Sequence, residues 1–159
     1  MSSLLEDVYA IQKLKYSYGR FLDTKDFASM CSLMTEDVTV AYGGGAITLQ
    51  GRQAVEDYLS NAMGNPTMLS QHLFSHPEIE VQGDVATAKW ALADVVILQD
   101  FNLQIRGASL YDDRYVKVDG RWFIKHTGYK RLYEEIGPRP EGTRTSASWF
   151  GTDGRSDLV

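Results

Sequence analysis

The second half of the chain alternates apolar and polar residues over four long segments, and no other feature constrains the fold as much. The segments are residues 70–82, 85–98, 104–118 and 121–133. Alternation with a period of two is typical of β-strands that bury one face. Gly83-Asp84 and Asp119-Gly120 are tight-turn signals between neighbouring segments. The sequence therefore predicts a long antiparallel meander.

The first half of the chain shows helical periodicity instead. Apolar residues recur at steps of three and four from Leu4 to Leu22, and Ser2 or Ser3 is suited to cap this helix. A triple-glycine turn at 43–45 joins two short strand arms. The predicted elements are helices over 4–22, 26–34 and 51–63, and strand arms over 37–42 and 46–49.

Three helices followed by a meander predict an α+β fold. We expect a cone-shaped barrel, in which a strongly curved, mixed but mainly antiparallel sheet carries the N-terminal helices on its concave face. The length of 159 residues favours a single domain, which we place at residues 1–136. Residues 137–159 lack periodicity and should form an irregular tail, although we expect Trp149 and Phe150 to dock on another part of the protein.

The composition argues against several classes of protein. A net charge of −5 and the lack of a basic run argue against a nucleic-acid partner. The single cysteine, Cys31, excludes an internal disulfide framework and is expected on the buried side of a helix. The N-terminal sequence is acidic and periodic, so we predict no signal peptide, no membrane span and a cytoplasmic location.

A histidine and an aspartate are the first candidates for chemistry. A histidine side chain ordinarily titrates near neutral pH, so His72 suits a general base, but a single histidine is also commonly a half-buried residue bonded to backbone. Asp23 ends the first helix, where a carboxylate gains nothing from the helix dipole. We therefore expect Asp23 to have a specific partner, for which His72 is the candidate.

Three further candidates each have a structural alternative. Asp94 lies on the apolar face of a strand, where a carboxylate is costly unless it is paired or functional, and it could donate a proton. Tyr18 continues the apolar stripe of the first helix and is either a core residue or a hydroxyl that reaches a cavity. Arg131 is either an anchor for a carboxylate or oxyanion, or a partner for a nearby glutamate or helix carboxylate.

No metal or nucleotide site is predicted, so we expect no cofactor. His76 is about 13 Å from His72 if the strand is extended at about 3.3 Å per residue, too far to share an ion with Asp94. Pro77 favours a bulge or an edge there. The triple glycine at 43–45 opens no helix and does not match a dinucleotide loop.

With these residues in hand, the chain resembles the SnoaL-like branch of the nuclear transport factor two superfamily over residues 7–136. It is most similar to the bile acid 7α-dehydratases, relatives of scytalone dehydratase and hexachlorocyclohexane dehydrochlorinase. The matching stretches are KYSYGRFLD, QHLFSHPEIEV, ATAKWALAD, YDDRYVKVDGRWFI and TGYKRLYEE. The family's catalytic positions are matched by Tyr18, Asp23, His72, Asp94 and Arg131. Ala91 and Ala93 stand where those enzymes have larger residues, which is expected to reshape the pocket.

The resemblance implies a cofactor-independent dehydratase that acts on a hydrophobic, carbonyl-bearing ring compound such as a steroid or polyketide. His72, oriented by Asp23, removes a proton beside the carbonyl in this interpretation. Tyr18 and Asp94 serve the carbonyl and the leaving hydroxyl. The expected pocket lining is Phe21, Phe74, Trp90 and Leu92. The alternatives are an isomerase of the ketosteroid type, a polyketide cyclase, and a non-catalytic small-molecule-binding domain.

Assembly into an oligomer is also expected. Helices can cover one face of the curved sheet, and the other face needs a different cover. Apolar residues occur on both sides of the strands, at Val95, Ile97, Ile105, Tyr111 and Tyr115. Another copy of the chain is the simplest cover, and the resemblance implies a homotrimer, with a dimer as the alternative.

Overall fold

Six strands and three helices build the structure, a computed structural model that describes residues 3–158. The elements are α1 (Leu4–Asp23), α2 (Phe27–Cys31), β1 (Met34–Tyr42), β2 (Ile47–Gln50), α3 (Arg52–Met63), β3 (Met68–Gln82), β4 (Val85–Leu98), β5 (Leu103–Val118) and β6 (Arg121–Pro138). Short 3₁₀ turns lie at Gly43–Gly45 and Gln99–Phe101. The α+β prediction is confirmed.

The strands form one sheet in the order β2-β1-β6-β5-β4-β3. The neighbours β1 and β6 run parallel, and the other neighbouring pairs run antiparallel. The predicted mixed, mainly antiparallel sheet is therefore confirmed. The sheet is curved but does not close, because β2 and β3 remain as its two edges.

The long helix α1 covers the inner face of the sheet. Ser3 begins it with a capping box, in which the Ser3 hydroxyl accepts from the Glu6 N–H and the Glu6 carboxylate accepts from the Ser3 N–H. Its buried stripe includes Ile11, Tyr18 and Leu22. Among the described residues, no helix is both long enough and apolar enough to cross a bilayer.

Strand register decides which side chains meet α1. Trp90 of β4 pairs with Tyr111 of β5, and both are buried on the inner face, as is Tyr115. Val95 and Ile97 have the opposite parity on β4 and face outward. Ala91 and Ala93 share that parity, so they lie on the outer face. The expectation that they reshape the pocket is therefore wrong.

Several element boundaries differ from the sequence prediction. α2 ends at Cys31 instead of 34, because Met34 already bridges to Ile124 and begins β1. β6 continues to Pro138 because it pairs with the first residue of β5, Leu103. The predicted irregularity near Pro77 is confirmed as a register shift in β3 between Ser75 and Glu78.

The tail runs over residues 139–158 as turns and bends, without helix or strand. Phe150 docks on Lys25, whose ammonium lies 5.1 Å from the centre of the ring. Trp149 is 62% exposed, so the expected docking is observed for only one of the two aromatic residues. Cys31 is fully buried on α2, as predicted.

Candidate active site

Asp23 and His72 form the predicted pair where α1 ends over β3. Asp23 Oδ1 lies 2.6 Å from His72 Nδ1, and Oδ2 accepts the His72 backbone N–H at 2.8 Å. The Ser70 hydroxyl donates to Oδ1 at 2.9 Å. With Nδ1 held by the carboxylate, the favoured tautomer keeps its proton on Nδ1 and leaves the Nε2 lone pair free to act as a base.

The local chain explains why this contact forms. β3 is an edge strand, so its backbone N–H groups on the free side need partners from outside the sheet. The Asp23 carboxylate supplies one. Gly19 lets α1 approach β3 closely, since a Cβ at this position would lie 3.1 Å from the Phe74 ring.

A pocket of about 380 Å³ opens beside the pair, between one flank of α1 and the edge of β3. This volume lies within the usual range of small-molecule sites. The α1 side includes Tyr16, Arg20 and Asp23, and the β3 side includes His72 and Phe74. The His72 side chain is 10% exposed, so it is screened from bulk water yet adjoins the pocket.

Asp94 and Arg131 lie together on the inner face. Asp94 is the β4 residue paired with His72, and Arg131 binds it in a bidentate way at 2.5 and 3.0 Å. Arg131 also contacts Glu134 at 2.9 Å. Burial lowers the pKa of Arg131, but the Asp94 hydrogen bond and charge outweigh this and raise it overall. Both Asp94 oxygens therefore accept hydrogen bonds from the Arg131 guanidinium, and the role of Asp94 as a proton donor stays a prediction.

Tyr18 is a core residue whose hydroxyl bonds to the Tyr42 hydroxyl at 2.9 Å. Burial raises the pKa of Tyr18 well above its usual value, so the phenol stays protonated. Its ring packs edge-on against Phe74, with centres 5.9 Å apart. Tyr18 therefore supports the wall of the pocket from behind.

The four predicted lining residues separate into two groups. Phe74 lines the pocket, whereas Phe21, two residues before Asp23 on α1, does not line it and is half-buried against the core. Trp90 is 1% exposed and donates to the Tyr115 hydroxyl, and Leu92 is also buried in the core. The structure thus unites Asp23, His72 and Phe74 in one pocket.

Sequence reasoning missed a buried ion pair behind this pocket. Lys15 of α1 contacts Asp113 of β5 at 2.7 Å, and both side chains are fully buried. The ammonium also lies 4.0–4.6 Å from the ring centres of Tyr18, Phe74 and Tyr111. Burial lowers the pKa of Lys15, and the charge of Asp113 opposes this. One feature of the sequence could have revealed this pair. Lys15 and Asp113 each occupy an inward-facing position in an otherwise apolar stripe of their element.

Within residues 3–158, no group of three or more His, Cys, Asp or Glu side chains is arranged to hold a metal ion. His76 is exposed in the β3 bulge with φ 49° and bonds to the neighbouring Ser75 hydroxyl. Independence from cofactors stays a prediction.

Comparison with known proteins gives consistent similarities. Residues 3–128 match the model of the SnoaL-like domain. Scytalone dehydratase arp1 of Aspergillus fumigatus is 26% identical over 137 residues, covering 78% of this chain and 80% of that protein. The structure of Rv3472 (D26N) from Mycobacterium tuberculosis, described as of unknown function, is 26% identical with a TM-score of 0.70, covering 80% and 72% of the two chains.

A more distant similarity concerns the fold alone. The hexachlorocyclohexane dehydrochlorinase LinA-type3 from Novosphingobium barchaimii LL02 is 20% identical, with a TM-score of 0.76. The match covers 89% of this chain and 95% of that one. The shared architecture therefore extends over nearly the whole of both molecules.

Proposed function

The chain belongs to the family of SnoaL-like domain proteins, and from this premise we propose that it is a cofactor-independent lyase for small molecules. The specific form of the proposal is a dehydratase that eliminates water from a hydrophobic, carbonyl-bearing ring compound such as a steroid or polyketide. The observation that carries it is the 2.6 Å contact between Asp23 and His72 beside a pocket. The names of the relatives, a dehydratase and a dehydrochlorinase, both describe eliminations.

The first step is removal of a proton from the carbon beside the carbonyl. His72 Nε2 takes this proton, and the electron pair moves into the enolate. Asp23 stabilises the resulting imidazolium through Nδ1. Ser70 and the His72 backbone N–H hold the Asp23 carboxylate in place for this role.

The second step expels the hydroxyl group from the next carbon. The enolate electrons form the carbon–carbon double bond as the carbon–oxygen bond breaks. The proton on His72 passes to the departing oxygen, so water leaves and His72 returns to its neutral form. Tyr18 and Asp94 remain proposed contacts for the substrate oxygens, and both require the substrate to reach the inner side of β3 and β4.

Incubation of the protein with cyclic β-hydroxy ketones tests the proposal. We expect a product lighter by one water, formed at an undiminished rate after exhaustive chelation and dialysis. A product of unchanged mass would instead identify an isomerase that uses the same base. Activity that disappears on chelation and returns with an added metal would contradict the proposal.

A further inference from the structure

Arg131, the cation predicted to anchor an acidic substrate, is already occupied by protein carboxylates. Its guanidinium binds Asp94 through two nitrogens and Glu134 through Nε. The cluster thus holds one positive and two negative charges. A substrate carboxylate placed there would meet a net negative charge and would have to displace a bidentate partner.

Arg20 is the cation of the pocket itself. It lines the same 380 Å³ space as Asp23 and His72. Its Nη2 donates to the neutral Ser17 hydroxyl at 3.1 Å, and its guanidinium lies 5.6 Å from the Phe21 ring. None of the ion pairs within residues 3–158 includes Arg20.

The nearest acidic side chain along this face of α1 does not compensate Arg20. Asp23 is one helical turn further on, but its two oxygens are committed to His72 and Ser70. Residues three apart on a helix have Cβ atoms about 5–6 Å apart. Arg20 and the base-orienting Asp23 therefore project from neighbouring turns of α1 into the same pocket.

We propose that Arg20 is a specificity residue and that the substrate is an anion, a ring compound that carries a carboxylate. The carboxylate binds the Arg20 guanidinium, and the ring lies against Phe74 with its reacting carbon towards His72. This inference rests on the proposed function for the role of His72. It moves the predicted anchor for the acidic part of the substrate from Arg131 to Arg20.

The test compares two probes of the same shape, 2-naphthoate and the neutral 2-naphthamide, by isothermal titration calorimetry. Shifts of the His72 ring signals in NMR spectra locate the bound probe. We expect naphthoate to bind more tightly than naphthamide to the unaltered protein. Arg20→Gln should weaken naphthoate binding on the order of tenfold, as for a hydrogen bond to a charged group, and leave naphthamide binding unchanged.

Matched variants separate this inference from the proposed function. Arg121→Gln makes the same change at an exposed arginine of β6, outside the pocket, and should leave both probes unaffected. His72→Gln should abolish elimination yet retain the preference for naphthoate. Equal binding of both probes, or an Arg20→Gln effect no larger than that of Arg121→Gln, would overturn the role of Arg20 even if the protein proves to be a lyase.

Discussion

At the scale of single residues, the Asp23–His72 pair is expected to work as one unit. His72→Ala should lower turnover by about 10²–10⁴-fold, the usual worth of a general base. Asp23→Asn should also lower turnover strongly, because it keeps the size but removes the charge that stabilises protonated His72. The double variant should lose much less than the product of the two losses. Turnover of any accepted substrate, with folding checked by circular dichroism, measures this.

The control for the pair is His76, which is exposed in the bulge of β3. His76→Ala should cost little activity. A loss as large as that in His72→Ala would support a site with two histidines. Near-normal turnover in folded His72→Ala would move the base to another residue, and Asp94 would be the next candidate.

Cys31 gives a second prediction at this scale. Burial raises the pKa of its thiol to about 12, so the nucleophilic thiolate is scarce at neutral pH. We expect no reaction of the native protein with a thiol reagent such as Ellman's reagent, and one reactive thiol per chain after unfolding in guanidinium chloride. Rapid modification of the native protein would show that α2 opens readily.

Prediction of single contacts from the sequence succeeded where a charged side chain lacked stabilisation from its own element. Asp23 at a helix C-terminus required a partner, and His72 was the predicted one. The same reasoning did not pair Asp94 with Arg131, because a bulge between Ala108 and Ser109 changes the β5–β6 register that brings Arg131 opposite Ser109. The sequence alone does not show which residue of β5 then lies opposite Arg131.

At the scale of elements, two ion pairs of opposite polarity fix α1 along β5. Asp7 of the helix meets Lys117 of the strand, and Lys15 of the helix meets Asp113. The helical spacing of eight residues spans about 12 Å, and the strand spacing of four residues spans about 13 Å. Because these two lengths are nearly equal, the two ion pairs favour one alignment of α1 along β5. In that alignment Asp23, at the end of α1, lies next to His72.

Removing Lys15 tests whether the buried ion pair stabilises the packing of α1 on β5, because it leaves the Asp113 carboxylate buried without its partner. Lys15→Met should reduce the free energy of unfolding by about 3–5 kcal/mol, and adding Asp113→Leu should restore much of the loss. Arg106→Met, which breaks an ion pair with both side chains more than 60% exposed, should cost less than about 1 kcal/mol. Urea denaturation measures all three. An equal, small cost for Lys15→Met and Arg106→Met would exclude a structural role for the buried pair.

Sequence predicted the elements best where local pattern and tertiary pairing agree. The meander from β3 to β6 alternates and carries its own turn residues, so its strands were found. The start of β1 was missed, because its parallel pairing with β6 joins Met34 to Ile124 across most of the chain. Apolar residues at 33 and 34 fit either a helix or a strand, and only the distant partner decides between them.

At the scale of the whole molecule, the outer face of the sheet carries an apolar patch suited to a second copy of the chain. Leu73, Ala93, Ala108 and Tyr133 lie in register across β3, β4, β5 and β6. Leu73 and Tyr133 are each 55% exposed, and Leu110 beside them is 51% exposed. The side chains of the two alanines are small, so a flat partner surface can approach the centre of the patch closely.

We therefore predict a homo-oligomer, a trimer as the family resemblance implies or a dimer, held together through this outer face. Leu110→Glu places a charge beside the two alanines of the patch, where burial against another subunit would be costly, and should shift the protein to monomers. Leu5→Glu makes the same change at a leucine of α1 that is 79% exposed and outside the patch, and it should leave assembly intact. Multi-angle light scattering at micromolar concentration measures the mass of each. A stable monomer of the unaltered chain would exclude both assemblies, and dissociation by Leu5→Glu alone would move the interface to the helical side.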